Sequence, residues 1–135
     1  MRIDATRHAA ARRGLGAAAL LAVALCGCAY FNTFYNAKHL FQKGEEERLT
    51  KQGSRGADSY QKCIDKCLLL LKYYPKSKYV DDALYLVGMS RLYRGEHIQA
   101  RASFEDLVTR FPSSEFVEKA YFNAGIAALQ QGDPA

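Results

Sequence analysis

The chain has 135 residues, 49 % of them apolar and 24 % charged, with a formal net charge of +5, enough for one small domain with a modest core. Residues 1–27 set four arginines against Asp4 and hold +3 of that charge, whereas fifteen basic and thirteen acidic residues from Cys28 onward leave only +2. These later charges alternate in sign like solvated helix faces, which argues against a nucleic-acid partner.

Arg2, Arg7, Arg12 and Arg13 precede an apolar run from Gly14 to Leu25, which ends in Leu25-Cys26-Gly27-Cys28. Export signals place an apolar stretch of about 7–15 residues behind positive charge, while a membrane-spanning helix needs about 20. The run is therefore an export signal rather than a span. An ordinary signal peptide cut at small residues, or an uncleaved anchor, fits the same pattern. The four residues ending at Cys28 resemble the bacterial lipobox, Leu-x-Gly/Ala-Cys. That resemblance implies a cleaved lipoprotein signal peptide over 1–27 and acylation of Cys28 as the new N-terminus. Cys26 fits less well, because the bulky Leu25 would sit at the cleaved bond. Ala29, not Asp, follows Cys28; by resemblance to the envelope sorting rule this implies a lipid-anchored protein on the periplasmic face of the bacterial outer membrane. Arg12-Arg13 resembles part of a twin-arginine signal, but its flanks do not, so general secretion is expected.

Residues 28–57 read as a membrane-proximal helix and a linker. The helix spans about Tyr30 to Thr50, with Phe31, Phe34, Tyr35, Lys38 and Phe41 on one stripe. A polar, glycine-containing link from Lys51 to Gly56 leads into a second helix, Ser59 to Tyr73. Apolar residues recur at three and four positions rather than alternating, so the expected fold is all-α.

From residue 58 to 135 the sequence repeats itself. Tyr74-Pro75-Lys76-Ser77-Lys78-Tyr79-Val80 returns 37 residues later as Phe111-Pro112-Ser113-Ser114-Glu115-Phe116-Val117, and the match continues through Tyr85/Phe122, Gly88/Gly125, Leu92/Leu129 and Gly95/Gly132. A fixed period between about 20 and 50 residues marks a solenoid, whose units bury their faces only by stacking. Each unit reads as a helical hairpin. Ser77 and Ser114 are expected N-caps. Helix A runs from about Tyr79 to Tyr93, and Gly95 ends it because glycine tolerates the left-handed turn. Helix B runs from about Glu96 to Arg110, and Pro112 prevents its continuation. The helix over 116–130 has no following partner, so the last repeat is incomplete and a longer protein is expected.

Gly88, Ala100, Phe104 and Pro112 lie 12, 4 and 8 residues apart, which resembles the small, small, aromatic and proline signature of a tetratricopeptide repeat. The resemblance implies an all-α, tetratricopeptide-type helical-hairpin solenoid following the lipoprotein signal peptide. Leu84 and Arg91 stand where that repeat usually has Trp-like and Tyr-like residues, and the period exceeds the usual ~34. The Tyr/Phe-Pro-x-Ser-x-Tyr/Phe-x-x-x-Ala pattern resembles outer-membrane assembly lipoproteins of the BamD type. It is also similar to the periplasmic repeat protein that works beside the Tol–Pal system.

No catalytic constellation, phosphate-cradling loop or paired metal-ligand motif is visible, and no cofactor is expected. Cys63 and Cys67, four apart on one helix, read as buried small hydrophobes, since His39 and His97 offer no diagnostic metal spacing. Glu45-Glu46-Glu47 reads as a solvated face. Binding is expected instead on the A helices, which line the concave surface in the resembled repeats. By position these are Asp82, Tyr85, Met89 and Leu92, then Lys119, Phe122, Ile126 and Leu129, unless residues 30–50 cover some of them. The function implied is a non-enzymatic, membrane-anchored scaffold that binds envelope proteins or segments of them, in outer-membrane protein assembly. A Tol–Pal-associated, secretion or gliding accessory lipoprotein stays open, as does a docking region ahead of an enzyme domain.

Overall fold

Five helices follow one another in the computed structural model, which describes residues 31–50 and 56–132. They are α1 (31–49), α2 (Ala57–Tyr73), α3 (Val80–Tyr93), α4 (His97–Arg110) and α5 (Val117–Gln131). No strand occurs among the described residues. The expected export signal over 1–27, Cys28, the link over 51–55 and Pro134 lie outside them. No described helix is long and apolar enough to cross a membrane. The chain divides into two units, Met1–Asn32 and Thr33–Ala135, and the packing below belongs to the second.

Turn chemistry is what repeats most faithfully. Tyr74 and Phe111 close α2 and α4, and each accepts from the amide three residues on, Ser77 at 2.9 Å and Ser114 at 3.0 Å. Proline fills the first central position of both turns, where its fixed φ is already correct. The serines act differently from the expected N-caps. Tyr79 and Phe116 occupy the N-cap positions without a side-chain bond. Ser77 Oγ accepts from the amide of Tyr79, and Ser114 Oγ from that of Phe116, both at 3.2 Å. A hydroxyl reaches the amide two residues ahead most easily in a turn, so each serine fixes the approach to its helix rather than the helix end. At the other end of α3 the expectation holds. Gly95 adopts φ 78°, its amide donates to Leu92 and that of Glu96 to Arg91, the paired bonds of a Schellman motif.

Helices α2 to α5 pack in series, each on the next. One core runs through them, from Cys63, Cys67 and Leu70 through Val80, Ala83 and Val87 to Ala100, Phe104 and Leu107, with Phe34 and Ala37 joining from α1. Both cysteines are free and fully buried. Their mutual hydrogen bond, together with burial, holds the Cys67 thiol well above its usual range. Gly88 sets the α3–α4 spacing, since a Cβ there would lie 2.5 Å from the Phe104 ring. Gly44 plays the same part for α1 and α2, where a Cβ would lie 2.7 Å from the Tyr60 ring. Polar ties then connect one hairpin to the next. Ser114 Oγ donates to Asp81 at 2.7 Å, and Arg94 donates to the Ala57 carbonyl at 2.7 Å while pairing with Glu96.

Candidate functional site

A cavity of about 320 Å³ opens between the A-type helices. Phe34, Lys38, Phe41 and Gln42 contribute to it from α1, Asp82, Tyr85 and Leu86 from α3, and Phe116 from the start of α5. The floor is aromatic and held from behind. Tyr85 stacks on Phe116 with centroids 4.7 Å apart and tilts against buried Phe104 at 6.0 Å. Phe34 stacks on Tyr79 at 4.4 Å. Such pairs add about 0.5–1.5 kcal/mol beyond burial, so the cavity wall is preformed rather than assembled on binding.

Charge enters at two points. Asp82, in the first turn of α3, has its carboxyl pushed above the ordinary range by burial and by Asp81 and Glu115, while Lys38 draws it down. Burial also raises the Tyr85 hydroxyl. The result is an apolar hollow with one carboxylate and one ammonium group at its edges. That chemistry suits an apolar side chain of a protein segment with a polar backbone on either side.

A proton on Asp82 is held more tightly in the folded protein than in the unfolded chain. Stability therefore falls as pH rises from the ordinary carboxylate range through the raised pKa of the folded protein. Asp82→Asn is expected to raise the melting temperature at pH 7. That gain should vanish in acid below about pH 3.5, where both states carry the proton. A lower melting temperature at neutral pH would mean that the carboxylate's attraction to the α3 N-terminus outweighs its burial.

Among the positions expected from the repeat register, Asp82 and Tyr85 line the cavity. Met89 and Ile126 are half-buried against the core. Lys119 is exposed, with its ammonium 5.9 Å from the Phe116 ring centroid. Phe122 and Leu129 are exposed, outside the cavity. Leu92 belongs to the core rather than to the groove, because the face of α3 that carries it is closed over by its neighbours. Phe34, Lys38, Phe41, Gln42, Leu86 and Phe116 join the site without having been among those positions. The aromatic stripe of α1 was the visible signal. The long connection over 50–56 breaks the 37-residue offset, so α1 cannot be aligned with α3 by counting.

A second, more open depression of about 440 Å³ lies between the two Pro-containing turns. Two of its charged groups are already engaged, Asp81 by Ser114 and Arg110 by Asp106. Among the described residues no group of three or more His, Cys, Asp or Glu side chains could hold a metal ion.

Comparison with known proteins agrees with this architecture. A family model described as tetratricopeptide repeat matches residues 82–114, which cover most of α3, all of α4 and the turn after it. Searches of curated proteins and of solved structures found no match. The chain is an all-α helical-repeat protein that carries a tetratricopeptide repeat, an architecture suited to binding other proteins.

Proposed function

We propose that this protein is a membrane-anchored scaffold of the bacterial cell envelope, tethered through Cys28 on the periplasmic face of the outer membrane. There it binds segments of other envelope proteins in outer-membrane protein assembly and performs no catalysis itself. The observation that carries the binding role is the aromatic-floored cavity between α1, α3 and α5, with Asp82 and Lys38 at its edges. The anchoring role rests on Leu25-Cys26-Gly27-Cys28 behind the arginine-flanked apolar run.

The test places a photo-reactive amino acid at Gln42, which is exposed at the cavity, and separately at Glu105, which is exposed on α4. In intact cells, position 42 should link to a defined set of outer-membrane assembly components and position 105 should not. Tyr85→Ser should weaken that capture by more than about 1 kcal/mol. Its melting curve, recorded alongside, separates lost binding from lost folding. Cys28→Ala should move the protein into the soluble fraction or leave it uncleaved. Equal crosslinking from both positions would reject the cavity as the binding site, and a membrane-bound, normally processed Cys28→Ala protein would reject the anchor.

A further inference from the structure

The outward face of α2 departs from its counterpart in the next repeat. Leu68 and Leu69 are each 43 % exposed and Tyr73 is 62 % exposed. At the 37-residue offset these positions fall on Glu105, Asp106 and Arg110 of α4. Glu105 and Arg110 are exposed as well, but there the face is one of paired charges, Arg101 with Glu105 and Arg110 with Asp106. Exposure thus belongs to the position in the repeat, whereas the leucines and the tyrosine are particular to α2. Charge changes with them. Residues 62–78 set five lysines against Asp65, while the matching 99–115 set two arginines against Glu105, Asp106 and Glu115. Lys62, Lys66, Lys72 and Lys76 are exposed, and none of them joins an ion pair among the described residues. Asp65 already accepts from Gln61 at 2.9 Å.

Spacing gathers these residues. Leu69 stands four before Tyr73 and three after Lys66, and Leu68 stands four before Lys72, so they share the face opposite buried Cys63, Cys67 and Leu70. Leucines ringed by lysines, with a tyrosine among them, suit the boundary between water and an anionic bilayer. There the leucines enter the acyl region, the tyrosine sits at headgroup depth and the ammonium groups stay with the phosphates. Location favours lipid over an acidic protein as the occupant. Phe34, near the start of α1, stacks on Tyr79 just past the turn that follows α2, so the two helices bring these ends together. Thr33 follows Cys28 by five residues, a length of chain that reaches at most about 18 Å. Acyl chains on Cys28 therefore keep this end of the domain close to the bilayer.

We propose that α2 docks on anionic phospholipid, with Leu68, Leu69 and Tyr73 in the interface and Lys66, Lys72 and Lys76 at the phosphates. This rests on the lipid anchor proposed at Cys28, and it adds an orientation to that anchor. No residue of α2 lines the cavity, so docking leaves the cavity open. The test reconstitutes the chain purified from membranes into vesicles of phosphatidylcholine, with or without phosphatidylglycerol. A fluorophore is attached at Leu69→Cys and, as control, at Glu105→Cys; Cys63 and Cys67 are fully buried and do not compete. Lipids brominated in their chains should quench position 69 strongly and position 105 little, and the contrast should shrink without phosphatidylglycerol. Lys72→Glu together with Lys76→Glu should weaken docking roughly tenfold or more, while flotation with the vesicles and the melting curve stay unchanged. A chain that floats with position 69 unquenched keeps the anchor and loses the docking. Equal quenching at both positions, or quenching indifferent to the double substitution, overturns the docking as well. So does shielding of position 69 that appears only when envelope proteins are added, which would give the face to an acidic protein. A chain that does not float with the vesicles loses the anchor and the docking together.

Discussion

Replacing Phe104 with Ala is expected to lower the stability of the protein by about 3–5 kcal/mol, the usual cost of emptying a fully buried aromatic site. Phe104 is fully buried at the centre of the core and sits directly over Gly88. Its ring also backs Tyr85, so its loss removes support from the cavity floor. A domain of this size holds about 5–15 kcal/mol in total. The variant should therefore melt about 15–30 °C lower, at several degrees per kcal/mol, or fail to fold at physiological temperature. Thermal unfolding followed by circular dichroism measures this directly. A shift of only a few degrees would mean that the α3–α4 contact closes up without the ring and that Gly88 is not there to receive it.

The two glycines of the repeat should respond to a side chain with opposite sign. Gly88→Leu forces α3 and α4 apart, because the Cβ alone would overlap the Phe104 ring. Overpacking of this kind costs about 1–3 kcal/mol, more than the gain of roughly 1 kcal/mol from removing a helical glycine. Gly125→Ala lies at the matching position of α5 but meets open space. There only the propensity term remains, and the variant should be more stable by about 0.5–1 kcal/mol. Urea unfolding of both variants decides the matter. Destabilisation of equal size at both positions would show that Gly125 is packed in solution and that its face is already covered.

Much of the fold is legible in the sequence alone. The 37-residue period located α3, α4 and α5 to within a residue or two, because proline and glycine act locally: Pro75 and Pro112 sit in turns, and Gly95 takes the left-handed conformation that ends α3. The serines were less readable. A Ser before a helix can cap the helix or brace the preceding turn, and the choice depends on where the first helical hydrogen bond forms. Here that bond begins at Tyr79 and Phe116. The candidate site was legible by half. Asp82 and Tyr85 follow from the repeat, but the wall contributed by α1 depends on a connection whose length breaks the register.

The sequence by itself determined the helical class, the repeat, its proline and glycine punctuation and the burial of Cys63 and Cys67, because each rests on local backbone preference or on a 3.6-residue periodicity. Only the tertiary structure decided which equivalent positions are core and which are surface. Leu92 and Leu129 occupy the same place in the repeat, yet Leu92 is buried and Leu129 is exposed. Gly88 lies against a ring and Gly125 against open space. In a stacked fold a residue's burial is set by the neighbouring unit as much as by its own helix, and that neighbour cannot be read from the repeat in which the residue stands.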